Sequence, residues 1–217
     1  MKLFIYSLPA AAVALLFSSC AGIDPNVPNP KQTAPLKAAH VNPHKEGTYA
    51  HFRAKKGYPR NYGVWKNNAV FARTNSSNSS VRIDLSDQRG YLMNGSELAM
   101  DYPISSGRAK YPTPTGNFRI TEKIRDKRSN LYGKIYDSSG KLVKSNADSR
   151  KDKVPAGGKY VGASMPYWMR LTGDGIGMHK GNVPRHPASH GCIRTHSSAV
   201  ATVYAKTRVG TRVSIVR

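Results

Sequence analysis

The sequence predicts a mainly β protein with one short helix near its C-terminus. Residues 81–85 alternate apolar and charged side chains, which is the pattern of a half-buried strand. Two further apolar runs, residues 91–93 and 98–102, flank Asn94 and Gly95, a dipeptide typical of two-residue hairpin turns. Glycine and proline recur between the short apolar runs, so long helices are not expected.

The middle of the chain adds further predicted strands and one predicted long loop. Residues 117–121 and 168–171 combine aromatic and aliphatic side chains in short runs typical of strands. Residues 123–160 are polar and contain several glycines, so we expect a long excursion that carries short strands such as 134–136. Such a loop either borders a ligand cleft or is a variable surface insertion.

The predicted helix lies shortly before the C-terminus. Ser197 or Ser198 can cap its first turn, and apolar residues follow at helical spacing before Gly210 closes the element. Residues 212–216 alternate basic and apolar side chains. We expect this last strand at the side of the sheet, with one solvated face.

The N-terminus reads as an export signal. Met1 and Lys2 precede an apolar run over residues 3–17 and then small residues around Cys20, which is the layout of a secretory signal over residues 1–20. The end of this run resembles a bacterial lipobox, although Phe17 replaces the usual aliphatic residue. The resemblance implies lipidation of Cys20 and a membrane anchor; cleavage as an ordinary secreted protein is the main alternative.

The signal is followed by a predicted linker and one globular domain. Residues 21–56 are rich in Pro, Asn, Lys, Ala and His and have no apolar periodicity, so we expect a flexible tether or plain disorder. Residues 57–217 are long enough for one core of ordinary size.

The chain is strongly basic. It holds 34 Lys and Arg against 12 Asp and Glu, a formal charge of +22 at pH 7. Nucleic acid, anionic lipid and anionic cell-wall polymer all suit this charge. We expect no nucleic-acid partner, because the chain has an export signal and its basic residues follow no nucleic-acid-binding motif.

The most informative stretch is residues 189–194, which contain Cys192 two residues after His190. His179 lies further upstream, so two imidazoles are candidates to activate the thiol, and Gly191 lets the backbone approach a substrate oxygen closely. If Cys20 is lipidated or removed, Cys192 has no disulfide partner, which favours a reactive role. The pattern therefore indicates cysteine acyl transfer.

Two other roles are open to this cysteine. His186, His190, Cys192 and His196 could form a zinc-like set, but no second cysteine lies nearby, so we expect no metal and no cofactor. A buried structural cysteine is the other alternative, and a polar loop interrupted by proline is a poor place for one.

The motif resembles that of the L,D-transpeptidase catalytic domain family, also called YkuD-like. The family pattern is a histidine, a variable gap, Ser or Thr, His-Gly-Cys, an apolar residue and Arg or Asn, matched here by His179, residues 189–192, Ile193 and Arg194. Five further blocks resemble the family in its order: residues 81–86, 102–107, 112–118, 165–169 and 209–215. The resemblance implies that residues 57–217 form a catalytic domain with a β-sandwich fold and one short helix near the catalytic loop.

The resemblance also implies a reaction. Cys192 would attack, as thiolate, the carbonyl of the third residue of a peptidoglycan stem tetrapeptide and release the terminal D-alanine. An amine would then resolve the thioester, forming a 3-3 cross-link or attaching a protein to the wall. His179 is the implied base and His190 the rival, with the amides of Gly191 and Cys192 as expected oxyanion donors. Carbapenems would acylate the cysteine.

Four other residues are candidates for substrate binding. Ser189 could orient His190 or stabilise the turn, and Arg194 could pair with a substrate carboxylate or brace the loop. Tyr167 and Trp168 could line the cleft, although aromatic residues in strands are more often core. The family uses the backbone carbonyl of the residue after the histidine to orient the histidine ring. The resemblance therefore implies that the Lys180 carbonyl orients His179.

Three functions follow from these features. The first is an exported L,D-transpeptidase of the bacterial envelope, anchored through Cys20 and facing the periplasm, with peptidoglycan stem peptides as partners. The second is an L,D-carboxypeptidase or cross-link hydrolase. The third is a non-catalytic wall-binding lipoprotein, which the combination of His179, His190 and Cys192 argues against.

Overall fold

The computed structural model describes residues 41–217, and these residues are mainly β, as predicted. The helices are α1 (Tyr49–Arg53), α2 (Asn68–Arg73) and α3 (Ser197–Ala205). The strands are β1 (Trp65–Lys66), β2 (Ser79–Asp84), β3 (Arg89–Asn94), β4 (Glu97–Ser105), β5 (Gly116–Arg119), β6 (Glu122–Tyr136), β7 (Leu142–Asp148), β8 (Lys159–Arg170), β9 (Gly177–Lys180), β10 (Ile193–Thr195) and β11 (Arg212–Val216).

The strands pair in the order β5-β11-β2-β3-β4-β10-β9-β8-β6-β7, and β1 pairs with β4. β4 joins two groups of strands, because most of its length pairs with β3 while Ile104 and Ser105 pair with β10. Buried side chains of both groups and of α3 meet in one core, which includes Ile83, Leu92, Tyr102, Met169, Met178, Ile193 and Val203. This arrangement confirms the predicted fold class.

The first hairpin and the C-terminal helix are confirmed, with shifted details. β3 and β4 are joined by Gly95 and Ser96, because Asn94 already pairs with Glu97. α3 begins at Ser197, but its N-cap is His196, whose Nδ1 accepts from the backbone N–H of Ser198. A histidine ring here replaces the short side chains that usually cap helices.

Two further predictions about the sheet were wrong. The polar segment 123–160 is not a long loop, since β6 runs for 15 residues and pairs with both β7 and β8. The sequence does not reveal this strand because polar residues occupy both of its faces, whereas strands are usually recognised by alternating apolar residues. β11 does not lie at the side of the sheet but between β5 and β2, although its residues alternate between buried and more exposed positions as expected.

The predicted linker boundary at residue 57 is also wrong for the described part of the chain. α1 lies inside the segment 21–56 and packs on the sheet: the Tyr49 hydroxyl donates to Asp101 Oδ2 at 2.9 Å. Tyr58 donates to the same oxygen at 3.2 Å, and Arg89 donates to Oδ1 at 2.6 Å. Because the Arg89–Asp101 pair is fully buried, removing either partner would leave an uncompensated charge in the core.

The predicted signal peptide, Cys20 and the first part of the linker lie outside the described residues. Within residues 41–217, no helix is both long enough and apolar enough to span a membrane.

Candidate active site

Parallel pairing of β9 with β10 brings the cysteine and the upstream histidine together. His179 pairs in register with Arg194, and Met178 pairs with Ile193. Met178 and Ile193 belong to the core, so the alternate residues His179 and Arg194 lie on the opposite face of the sheet. Cys192 immediately precedes β10 and shares that face with Arg194.

A cleft of about 520 Å³ opens on this face. Of the residues predicted for the site, it is lined by Cys192, His179, His190, Ser189 and Arg194. Other walls come from β6, β8, Arg150 and the loop at residues 174–176. Of the two alternatives for the polar segment 123–160, the structure therefore supports the one in which it borders the cleft, but as strands.

The turn that carries the cysteine is held by the hydroxyl of Ser189. Ser189 Oγ donates to the carbonyl of Cys192 at 2.5 Å and accepts the backbone N–H of Gly191 at 3.1 Å. The side chain is buried and stabilises the turn, so the structure does not support Ser189 as a substrate ligand or as the residue that orients His190. It also accepts the Gly191 N–H, so this amide is already engaged in the structure, and its role as an oxyanion donor stays a prediction.

Two glycines allow the turn to pack closely. Gly191 has a φ of +108°, which side-chain-bearing residues rarely adopt. A Cβ on Gly107 would lie 2.0 Å from the carbonyl oxygen of Tyr111 and 2.9 Å from the Cα of Gly191. Thr113 links the two glycines, because its hydroxyl accepts from the Gly107 N–H at 2.8 Å and donates to the Gly191 carbonyl at 2.6 Å.

The thiol of Cys192 lies in a partly desolvated position. Burial raises its pKa, while the Gly177 N–H that donates to the sulfur and the Arg194 guanidinium oppose that rise. The sulfur also lies 3.6 Å from the carbonyl oxygen of Gly175. The resting group is therefore a thiol near neutral pH, whereas the sequence predicted attack by a thiolate.

His179 is buried and neutral. Its side chain is 7% exposed, and burial lowers its pKa to about 4, against an opposing hydrogen bond to the Lys180 carbonyl. The distance from Nδ1 to that carbonyl oxygen is 2.7 Å, as expected from the family's use of this position. Because a carbonyl oxygen can only accept, Nδ1 carries the proton and Nε2 is left as the basic nitrogen.

His190 is positioned by side chains, whereas His179 is positioned by a backbone carbonyl. The Arg108 guanidinium lies 2.8 Å from its Nε2, and the ring is flanked by Tyr111 and Tyr132 with centroid separations of 4.7 and 4.5 Å. A guanidinium can only donate, so Nε2 of His190 is an acceptor and the proton resides on Nδ1. Burial, and then the charges of Arg108 and Arg194, lower its pKa.

Arg194 is half-buried in the cleft wall. Its stem packs over Gly181, where an added Cβ would lie 2.8 Å from the Arg194 Cγ. Within residues 41–217 its guanidinium forms no ion pair. A half-buried cation with no protein carboxylate favours a role toward an anionic group of a ligand over simple bracing of the loop.

The two aromatic candidates do not line the cysteine cleft. Tyr167 packs edge-on against Tyr204 of α3 at 5.5 Å, on the side of β8 that faces the helix. Trp168 is 2% exposed, donates through Nε1 to Glu122 at 2.9 Å, and lies 6.1 Å from the ring of His179. Trp168 instead lies beside the His179 ring, and substrate binding by either aromatic residue stays a prediction.

The histidines of the alternative metal set point to other partners. His186 Nδ1 lies 3.1 Å from the Pro187 carbonyl oxygen, and the His196 ring packs at a tilt against Tyr62 while capping α3. Across the described residues, no cluster of three or more His, Cys, Asp or Glu side chains is placed to hold a metal.

Sequence reasoning missed Arg108, Thr113 and Tyr132. Thr113 falls in the block at residues 112–118, so it was within a recognised motif, but its link to Gly107 and Gly191 requires the fold. Arg108 directly follows the block at 102–107, and only the close packing of the two glycine turns brings it to His190. Tyr132 was hidden by the interpretation of its strand as a loop.

The fold and the cleft define a mainly β protein with a cysteine and two neutral histidines at one opening. A comparison with family models matches residues 78–215 to YkuD, the L,D-transpeptidase catalytic domain. The match covers more than half of the chain, and the chain belongs to this family. Among curated proteins, the comparison finds no significant match.

Solved structures of L,D-transpeptidases are also similar to the chain. One from Mycobacterium smegmatis is 20% identical over 64% of this chain and 59% of its own, with a TM-score of 0.48. L,D-transpeptidase 1 of Mycobacterium tuberculosis is 23% identical, with coverages of 64% and 62% and a TM-score of 0.45. One from Stackebrandtia nassauensis is 17% identical, with coverages of 77% and 64% and a TM-score of 0.48. The chain thus spans about three-fifths of the length of these proteins.

Proposed function

We propose that the chain is an exported L,D-transpeptidase that acts on peptidoglycan stem tetrapeptides through an acyl-enzyme on Cys192. The observation that carries the proposal is the cleft that Cys192 and the buried His179 line together, with the Nε2 of His179 left to accept a proton. Its volume of about 520 Å³ suits a peptide-sized ligand. Family membership gives the substrate class.

The first half-reaction begins with two neutral groups. His179 Nε2 takes the thiol proton as Cys192 Sγ bonds to the carbonyl carbon of the third stem residue. Collapse of the tetrahedral intermediate breaks the bond to the D-alanine nitrogen, and His179 returns the proton to that nitrogen. Because burial disfavours both charged forms, proton transfer accompanies attack instead of preceding it.

The second half-reaction uses the same groups. An acceptor amine attacks the thioester, His179 removes its proton, and the thiolate leaves to regain that proton. A stem-peptide amine gives a 3-3 cross-link, a protein lysine gives attachment to the wall, and water gives carboxypeptidase activity.

The donors for the developing oxyanion come from the backbone and from His190. Within the described chain, the Cys192 N–H has no hydrogen-bond partner, whereas the Gly191 N–H is bound to Ser189. The His190 tautomer fixed by Arg108 carries an Nδ1–H, and the His190 side chain lines the same cleft as Cys192. His190 therefore acts as a donor to the substrate, and His179 as the base.

Replacing Arg108 by methionine tests this role of His190. Without the guanidinium, we expect the His190 pKa to rise toward its ordinary value, a mixture of tautomers to appear, and kcat to fall about 10- to 100-fold, because small misplacements of a catalytic group have effects of that size. Imidazole ¹⁵N chemical shifts measure the tautomer directly. Arg108→Lys, which keeps a donor, should restore most of the tautomer preference; unchanged shifts in Arg108→Met would contradict the assignment.

Arg194 is the proposed anchor for a stem-peptide carboxylate. Arg194→Gln should raise KM about 10- to 100-fold with a smaller change in kcat, since a hydrogen bond to a charged group contributes about 1.5–3 kcal/mol. A substrate whose side-chain carboxylate is amidated serves as the control and should lose little when Arg194 is changed. If Arg194→Gln weakened binding of both substrates equally, Arg194 would not be the anchor of the side-chain carboxylate.

Product analysis distinguishes the candidate activities. A disaccharide tetrapeptide incubated with the chain should yield free D-alanine and a cross-linked dimer. Tripeptide without dimer would assign the hydrolase alternative. Binding without turnover, with the fold intact, would assign the wall-binding alternative.

The cellular placement rests on the N-terminal sequence. We propose that residues 1–20 direct export, that Cys20 is lipidated, and that the segment after it tethers the domain within the bacterial envelope. Mass spectrometry of the N-terminal peptide of the membrane-associated chain tests this: an acylated Cys20 supports the anchor, and cleavage at another residue supports ordinary secretion.

A further inference from the structure

A group of four exposed arginines lies at the end of the sheet formed by β5, β11 and β2. We call this group the arginine face: Arg82, Arg119, Arg208 and Arg212. β5, β11 and β2 are separated in the strand order from β9, β8 and β6 by β3, β4 and β10. The arginine face is therefore distinct from the cysteine cleft.

Two of these arginines oppose each other directly. Arg212 pairs with Arg119 across the antiparallel β11–β5 ladder. Like charges in such a cross-strand pair destabilise the sheet. Within the described residues neither arginine forms an ion pair, and Arg119 donates only to the carbonyl of Gly210, at 2.9 Å.

The other two arginines extend the same positive surface. Arg82 lies on β2 beside Ser214 of β11, one row from Arg212, and its nearest carboxylate oxygen, on Asp84, is 3.9 Å away. Arg208 lies in the loop before β11, and it too forms no ion pair within residues 41–217. Few carboxylates of the described residues therefore lie near the arginine face to balance its positive charge.

The surface is concave and rich in hydroxyls. Two neighbouring hollows of about 480 and 650 Å³ share Ser80, Arg119 and Arg212. Their remaining polar lining includes Ser76, Ser77, Asn78, Ser79, Asn117 and Ser214. Guanidinium forks beside hydroxyl donors suit phosphate oxygens, which accept several hydrogen bonds at once.

An exposed apolar residue stands beside this charge. Val209, between Arg208 and Gly210, is 56% exposed. An exposed apolar side chain within a basic surface can rest at the headgroup level of an anionic bilayer while the basic groups contact the phosphates. The apolar side chain of Val209 would not contribute to binding of a free phosphate ion.

We propose that the arginine face, with Val209, docks on phosphate headgroups of an anionic lipid surface. Binding there would neutralise the Arg119–Arg212 repulsion and place Val209 at the level of the headgroups. Because the cysteine cleft belongs to the other end of the sheet, it would stay accessible while the domain is docked. This inference is independent of the acyl-transfer chemistry.

The test is sedimentation of the full chain with phosphatidylcholine vesicles that contain or lack phosphatidylglycerol. The variant Arg119→Gln/Arg208→Gln/Arg212→Gln should lose about 100-fold in partition to the anionic vesicles, because each of the three arginines near such a surface contributes about fivefold. A matched control removes three exposed lysines elsewhere, Lys134→Gln/Lys141→Gln/Lys153→Gln, and should lose no more than about twofold. All variants keep the same N-terminal residues.

Apolar insertion is tested with a second pair of variants. Val209→Asn removes the apolar side chain without changing the charge and should weaken binding to the anionic vesicles, whereas Val143→Asn, at a valine that is 57% exposed on β7, should not. Arg212→Gln alone checks folding, since removing the cross-strand repulsion should leave the unfolding temperature equal to or above that of the native chain.

Three results would overturn the proposal. If the arginine and lysine triple variants lost equal partition to the anionic vesicles, binding would depend on the overall charge of the chain and not on the arginine face. A loss of partition in the triple arginine variant that is equally large with and without phosphatidylglycerol would exclude recognition of anionic headgroups. Release by inorganic phosphate, but not by chloride at the same ionic strength, would identify a free phosphate site instead of a lipid-docking face.

Discussion

Replacement of Cys192 by alanine is expected to lower kcat/KM for a stem tetrapeptide by more than about 10⁴-fold, because no other group can take over a covalent nucleophile. The side chain is partly exposed and small, so the fold should be retained. D-Alanine release measured over time, together with the unfolding temperature, separates loss of chemistry from loss of structure.

Serine at the same position is the matched control. Cys192→Ser keeps the size and the hydrogen-bonding ability of the side chain but replaces the thiol by a much less acidic hydroxyl. It should remain nearly inactive while binding substrate normally. Turnover close to that of the native chain in either variant would contradict nucleophilic catalysis by Cys192.

Replacement of His179 by glutamine is expected to lower kcat by about 10²- to 10⁴-fold, the usual contribution of a general base. Glutamine can still donate to the Lys180 carbonyl, which lies 2.7 Å from Nδ1 in the native chain, but it has no basic nitrogen. Stopped-flow or burst measurements of acylation give the chemical step directly.

The pH dependence should change in a defined direction. The His179 pKa is lowered to about 4, so the native chain keeps its base neutral down to that pH and loses activity only below it. In His179→Gln, attack depends on the thiolate, and burial raises the Cys192 pKa. The variant's rate should therefore rise about tenfold per pH unit through neutrality, since each unit changes the thiolate fraction tenfold.

His190→Gln is the control for His179. If His190 is a donor held neutral by Arg108, its replacement should lower the rate without producing that steep pH dependence. If the rate of His190→Gln rose steeply with pH and that of His179→Gln did not, His190 would be the base and His179 the donor.

The sequence predicted the parts of the fold that have apolar periodicity. β2, the β3–β4 hairpin, α3 and β11 were recognised because their buried residues recur at strand or helix spacing. β6 was missed because it is polar along most of its length. α1 was missed because five residues are too few for a helical pattern, and it is held by tyrosine contacts to Asp101 that are remote in sequence.

The site was predictable in composition but not in hydrogen bonding. Cys192, His179, His190 and Arg194 were named from the motif and line one cleft. The occupation of the Gly191 N–H by Ser189, and the contact of Arg108 with His190, depend on turn geometry that residue spacing does not determine. Tyr167 and Trp168 were misplaced because the sequence does not indicate which face of β8 meets α3 and the core.

The most direct test of the central claim is the intact mass of the chain after brief incubation with a disaccharide tetrapeptide, and separately with a carbapenem. We predict one added acyl group that maps to the peptide containing Cys192, is released by hydroxylamine as a thioester would be, and is absent in Cys192→Ala. Release of D-alanine without any adduct on Cys192, or an adduct that persists in Cys192→Ala, would contradict the account.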